Sequence, residues 1–331
     1  MPLPRRQLIS PATTPYYHIT SRCVRQQFLC GFDRATGRDF SHRKDWIRER
    51  FRRAASAFAI DIHAYAVMSN HFHLVIELRP SEVERWSDRE VIHRWRRVFR
   101  GPPLLERFLK SQVVTRGERA TIHRLVAAYR ERLASVSWFM RAINEPIARM
   151  ANQEDNVNGH FWSSRYRSQA LLTAGALLAA MAYVDLNPVR AGMAQTPETS
   201  DYTSIQERIQ QRRRASRHLA PLTAPGRTES ECLCSLDEYL MLVDWSGRSL
   251  VSGKRGAIPE HLPDLMVRLG LRQDGFLRAL SEPGKLSPRW LGSASVLRRT
   301  AARLGRRFLK GGTITSELFS AGEDRWSQAR S

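Results

Sequence analysis

The run Asn70-His71-Phe72-His73-Leu74-Val75-Ile76-Glu77-Leu78 limits the possible folds of this chain more than any other stretch. Side chains alternate between the two faces of a β-strand, so Phe72, Leu74, Ile76 and Leu78 fall on one side and His71 and His73 on the other. The apolar side can pack on a core. The other side then carries two imidazoles directed at one point, as two nitrogen ligands of a metal would be.

The surrounding sequence reads as an α+β unit. Tyr16 to Cys23, rich in β-branched and aromatic residues after Pro15, predicts a first strand. Trp46, Ile47, Phe51, Ala54, Ala55 and Phe58 recur at helical spacing and predict a helix over Lys44 to Phe58. Ala59 to Met68 predicts a second strand, Ser69-Asn70 a turn, and His71 to Leu78 the third strand. Pro80 to Gly117 is charged and Trp-dotted, and reads as a helical insertion. A longer helix follows over Glu118 to Asn152, with Pro146 expected to break or kink it. Gly159 to Leu172 predicts a fourth strand. Thr173 can cap a last helix running through Tyr183 towards Asn187, with Pro188 disfavouring helical geometry in the residue before it.

Gln206 to Ser230 carries Arg212-Arg213-Arg214, Pro221, Pro225 and Gly226, and reads as a basic linker. This divides the chain into residues 1–205, a linker over 206–230 and a helical, basic, DNA-associated domain over 231–331. Within that last part Val296, Leu297, Ala301, Leu304 and Phe308 form one apolar stripe among arginines. Fifty-three Lys and Arg against 32 Asp and Glu give a formal charge of +21, which points to a polyanionic partner, nucleic acid above all. The alternative is a basic surface that serves solubility alone. No stretch reaches the length of a membrane span, and Met1 to Ser10 lacks the apolar core of a secretory signal, so a cytoplasmic protein with no membrane partner is expected. Cys23, Cys30, Cys232 and Cys234 are too few for a disulfide scaffold.

A cation at His71 and His73 would still need oxygen ligands, and Asn187 can offer one. Tyr183 lies four residues before Asn187, on the same helix face. Should that face cover the histidines, a phenol would stand beside a divalent cation. The arrangement suits phosphodiester cleavage, in which the cation polarises a phosphoryl oxygen and the phenolate attacks phosphorus. Each piece also has a plainer reading: two polar residues on a strand, a core tyrosine, and a helix-ending asparagine. Spacing alone does not bring helix and strand together.

Three blocks carry a resemblance: Tyr65-Ala-Val-Met-Ser-Asn-His-Phe-His-Leu74, Gly159-His-Phe-Trp-Ser-Ser-Arg-Tyr-Arg-Ser168 and Tyr183-Val-Asp-Leu-Asn-Pro-Val-Arg-Ala-Gly192. In order and content they resemble the signature blocks of the REP-associated tyrosine transposases, single-tyrosine members of the HUH nuclease superfamily, and the C-terminal segments, including Val243-Asp244-Trp245 and Gly305-Arg306-Arg307, look like those of a longer bacterial subgroup among them. The resemblance covers about Tyr16 to Ile205. It implies a ferredoxin-like domain that cleaves and rejoins single-stranded or hairpin DNA through a 5′-phosphotyrosine, with Mg²⁺ or Mn²⁺ as cofactor. It further implies Tyr183 as nucleophile and His71, His73 and Asn187 as metal ligands. Arg22, Arg25, Arg165, Arg167 and Arg190 are expected to face phosphates, and Tyr17 and Trp162 to stack on bases. One tyrosine per chain and two DNA ends to handle imply a homodimer.

Two other classes stay open on the sequence. A catalytically silent hairpin-binding protein would keep the same recognition surface. A cupin-type small-molecule enzyme would share His71-x-His73 followed by Glu77, but lacks the flanking glycines of that pattern and would need a β-barrel.

Overall fold

The computed structural model describes residues 9–24, 29–33, 36–210, 219–222, 233–252, 259–282, 286 and 288–320. Arg25, the Arg212–Arg214 triplet and Cys232 lie outside them. The chain divides into two compact units interleaved in sequence: residues 1–21, 62–76 and 166–331 form the first, and residues 22–61 and 77–165 the second.

The first unit is built on a five-stranded mixed sheet. In spatial order the strands are Ile60–Val67, His71–Leu78, Tyr16–Arg22, Arg167–Leu171 and Trp290–Leu291. The first two are joined by a tight turn in which the Met68 N–H donates to the His71 carbonyl at 2.8 Å. Tyr16–Arg22 pairs antiparallel with Arg167–Leu171, setting His18 opposite Gln169 and Thr20 opposite Arg167. Trp290–Leu291 then adds in parallel to Ala170–Leu171. The strand expected over Gly159 to Leu172 is thus confined to its last third. Phe161 and Trp162 belong to the second unit, where Trp162 forms an isolated bridge with Cys23.

Thr173 caps the helix Ala174–Asp185 as expected, its hydroxyl accepting the Ala176 N–H at 3.1 Å. This helix is apolar on every side (Ala-Gly-Ala-Leu-Leu-Ala-Ala-Met-Ala-Tyr-Val-Asp), and such a helix needs cover all round. On one side it shares a core with Tyr16, Val75 and Leu171 of the sheet. On the other it shares that core with Leu242, Phe276 and Leu318 from the C-terminal segment. Gly175 marks a close approach: a Cβ there would stand 2.4 Å from the Leu269 carbonyl oxygen. The Asp185 carboxylate closes the inner end, accepting from Ser204 Oγ (2.5 Å), the Ile205 N–H (2.9 Å) and Tyr239 Oη (2.5 Å). Burial pushes its pKa up to about 6 against those three donors and the Arg208 charge, all of which pull it down.

These contacts correct the expected division of the chain. The C-terminal segment does not stand apart as an all-helical domain. It supplies an edge strand and the outer layer over Ala174–Asp185, within the same compact unit as the sheet. The stripe expected over Val296 to Phe308 also stops early. Val296, Leu297 and Ala301 are buried in the helix Ala294–Arg303, but the helix ends at Leu304, Gly305 turns the chain with φ of 63°, and Phe308 is left 66% exposed. Among the described residues there is no β-barrel, only this sheet and a two-stranded ribbon, which removes the cupin reading.

The second unit is helical where the insertion was expected, with Pro80–Arg85, Asp88–Val98 and Pro103–Leu109. The helix expected over Glu118 to Asn152 is two, Arg116–Leu133 and Val136–Glu154. The first starts at a capping box between Thr115 and Glu118. The break falls at Ala134-Ser135, where Ser135 turns extended (ψ 123°), and Pro146 is accommodated inside the second helix. Arg43, in the helix Arg43–Ala57, is almost wholly buried and held by Glu154 and Asp155 at 2.7 Å each.

Candidate active site

The site grows from the alternation of two neighbouring strands of the first unit. Tyr16, His18 and Thr20 share one face with their partners Leu171, Gln169 and Arg167. On the adjacent strand His71, His73 and Val75 share a face in the same way. His18 Nε2 lies 2.8 Å from His73 Nδ1, the two rings edge to edge with centroids 5.0 Å apart and planes 26° from parallel. Thr20 Oγ1 lies 3.2 Å from the same His73 nitrogen. His71 stands edge-on to His73, ring centroids 4.8 Å apart, and its Nδ1 lies 2.7 Å from Asn70 Oδ1. The histidine side is not an open face, since Val75 beyond it is fully buried, as Phe72 and Leu74 are on the other side.

The helix Ala174–Asp185 brings Tyr183 over these imidazoles. Its ring lies 6.0 Å from His73 and 6.1 Å from His18, edge-on to both. Helix and strand therefore meet, the condition that spacing alone left open. Tyr183 is the one residue of the helix that is not buried. The helix ends at Asp185, before Asn187. Pro188 then sits in the first turn of a new short helix, Asn187–Arg190, where the missing N–H of proline leaves no helical bond unmade. Asn187 is thus placed by a second helical start, not by continuation of the first.

Arg190 ties the two motif residues together. Its guanidinium lies over the Tyr183 ring at 4.1 Å, and its Nη2 donates to Asn187 Oδ1 at 2.8 Å. Asn187 is buried, with Nδ2 lacking a hydrogen-bond partner, and Arg190 Nη1 is likewise buried and unpartnered. Buried polar atoms without a partner are rare in folded proteins, and these two stand beside Tyr183. Burial lowers the His18 pKa to about 4, opposed by its bond to Gln169, so this ring is a neutral imidazole.

The donor set fits a divalent cation. Nδ1 of His73 is contacted by His18 and Thr20 and Nδ1 of His71 by Asn70, the kind of side-chain support that orients the imidazole of a metal ligand. An amide oxygen has two lone pairs, so Asn187 Oδ1 can accept from Arg190 and still coordinate. Among the described residues no group of three or more His, Cys, Asp and Glu is disposed to hold a metal.

The expected DNA-contacting residues scatter. Arg167 is exposed and in register with Thr20, whose hydroxyl lies against His73. Arg22 and Arg165 are exposed in the second unit, where the Trp162 indole N–H donates to the Asn144 carbonyl at 2.9 Å. Arg25 lies outside the described residues. Tyr17 cannot stack on a base. One residue out of phase with His18, it faces the opposite side, is fully buried, and exchanges hydrogen bonds with the backbone of Ser10. Burial pushes its phenol up to about 12. His18, Thr20 and Gln169 are site residues that motif reading passed over, although the alternation in Tyr16–Arg22 places His18 and Thr20 on one face.

No family model matches the chain, and no curated protein does. Among solved structures, the chain matches a REP-associated tyrosine transposase bound to a REP hairpin, at 13% identity and a TM-score of 0.38, over 69% of this chain and 93% of that one. A likeness that slight assigns no residue a role.

Proposed function

We propose that the chain is a metal-dependent, single-tyrosine DNA nuclease that works by transesterification. More narrowly, we read it as a transposase of the REP-associated kind, cutting and rejoining single-stranded DNA at hairpins in the cytoplasm. The observation that carries the reading is the placement of Tyr183 6.0 Å from His73, linked through Arg190 to Asn187. The three motif blocks supply its second support. Four strands, in the order Ile60–Val67, His71–Leu78, Tyr16–Arg22 and Arg167–Leu171, fit the ferredoxin-like arrangement expected of such an enzyme.

In this mechanism Tyr183 Oη attacks the scissile phosphorus. The new Tyr–O–P bond forms as the P–O3′ bond breaks, leaving a 3′ hydroxyl and a 5′-phosphotyrosine, and the reverse attack by a 3′ hydroxyl rejoins the strand. Mg²⁺ or Mn²⁺ held by His71, His73 and Asn187 would polarise a phosphoryl oxygen. Arg190, its guanidinium over the phenol ring, would offer a positive charge to the charge gathering on phosphorus. Arg167, exposed beside Thr20, would face the DNA backbone. A homodimer would supply the second tyrosine for the second DNA end.

The test uses 5′- and 3′-labelled hairpin oligonucleotides with Mn²⁺, with the Tyr183→Phe and His71→Ala variants run alongside. Cleavage that is lost in both variants and on chelation is the expected result. Tight binding without cleavage under any divalent cation would instead make the protein a catalytically silent hairpin binder.

A further inference from the structure

Gln169, on the strand beside His18, holds an arrangement that its surroundings determine atom by atom. Its Nε2 lies 3.0 Å from the Leu286 carbonyl oxygen and 2.7 Å from that of Pro288. Carbonyl oxygens only accept, so this end of the side chain is the amino group, and both its hydrogens are in use. Gln169 Oε1 is therefore the atom 3.1 Å from His18 Nδ1, and that nitrogen carries the proton. An imidazole whose one proton sits on Nδ1 presents a lone pair at Nε2, so His18 Nε2 is an acceptor. The 2.8 Å contact to His73 is then a hydrogen bond only when His73 Nδ1 is the donor.

We propose that Gln169 and His18 are positioning residues that lock His73 as its Nδ1–H tautomer, with the Leu286 and Pro288 carbonyls of the C-terminal segment anchoring the relay. The purpose of the relay rests on the reading of His73 as a cation ligand: it leaves the lone pair on Nε2 and fixes the plane of the ring. It also gives the C-terminal segment a part in the site without any contact of its own to metal or DNA. Thr20 Oγ1, at 3.2 Å, can accept from the same N–H and resists rotation of the ring.

The test is two-bond ¹H–¹⁵N correlation on the metal-free, full-length protein with ¹⁵N-labelled histidine, which reports the tautomer of each imidazole. The expected spectrum has His18 and His73 both protonated at Nδ1. Gln169→Met keeps the bulk of the side chain and removes both polar atoms, and His73 should then lose its single tautomer. The Mn²⁺ affinity, read by electron paramagnetic resonance, should weaken about 10- to 100-fold, the usual effect of removing a partner of a metal-bound histidine. A wild-type His73 protonated at Nε2 overturns the proposal, and this measurement needs no variant to fold. So does a Gln169→Met protein with the His73 tautomer and Mn²⁺ affinity unchanged. Failure of the parent reading looks different: His71→Ala would leave Mn²⁺ binding intact, whatever tautomer His73 adopts.

Discussion

Two helices of the molecule show how differently a sequence can specify burial. Asp88–Val98, in the second unit, is amphipathic, burying Val91, Ile92 and Trp95 and turning its arginines outward. One partner surface suffices for it, and Trp95 stacks on Tyr129 at 4.1 Å to provide that surface. Ala174–Asp185 in the first unit has no polar side at all, and a sheet can cover only half of it. The remainder must be covered by another layer, and residues from Leu242 to Leu318 form that layer. The nucleophile of the proposed reaction is therefore carried on an element that needs the C-terminal segment, while the helices of the insertion do not.

Truncation after Ile205 is the strongest way to break this contrast. It bares the outer side of Ala174–Asp185, so the fragment should be insoluble or bind hydrophobic dyes, with no cooperative melting. A soluble, cooperatively folding fragment would restore the separate C-terminal domain. Next comes Asp185→Ala, which leaves Ser204, Tyr239 and the Ile205 N–H without their acceptor. A loss of about 3 kcal/mol is expected by urea denaturation. Gly175→Ala forces a methyl group towards the Leu269 carbonyl and should destabilise by about 1–3 kcal/mol, again in the first unit. The smallest effect belongs to the outer face of Asp88–Val98. Arg96→Ala breaks a surface ion pair with Glu106 and should change stability by less than about 1 kcal/mol.

The thiols of the second unit give a pH test that does not involve the site. Burial pushes Cys23 and Cys30 up to about 12 from an ordinary value of 9.0. Within that interval the folded state binds more protons than the unfolded one. The stabilisation is thus fully present below about pH 9 and is lost as pH rises towards 12. At pH 8 alkylation of both should be far slower in the native protein than in urea, as read by mass spectrometry of each cysteine peptide.

Much of the proposed site was legible because it depends on local rules. Period-two alternation set the limits of His71–Leu78 and the common side of its histidines, and Thr173 announced the helix that carries Tyr183. The same alternation, applied to Tyr16–Arg22, separates His18 from Tyr17 and would have moved Tyr17 from the DNA-contacting set to the core. His18 and Gln169 were missed for a different reason. Their meeting depends on the register between strands about 150 residues apart, which no local pattern encodes. Pro146 misled because a proline inside a helix weakens it without having to end it, and the break went to Ala134-Ser135. The all-apolar run after Thr173 was the signal that the C-terminal segment belongs to the same unit as the sheet.

The central claim is that Tyr183 forms a covalent bond to DNA. Incubating the full-length protein with a hairpin oligonucleotide and Mn²⁺, denaturing it, digesting both components and sequencing the peptides by mass spectrometry tests that claim most directly. The account predicts a nucleotide joined through its 5′ phosphate to the peptide containing Tyr183. An adduct on another residue, or cleaved DNA with no adduct at all, would contradict it.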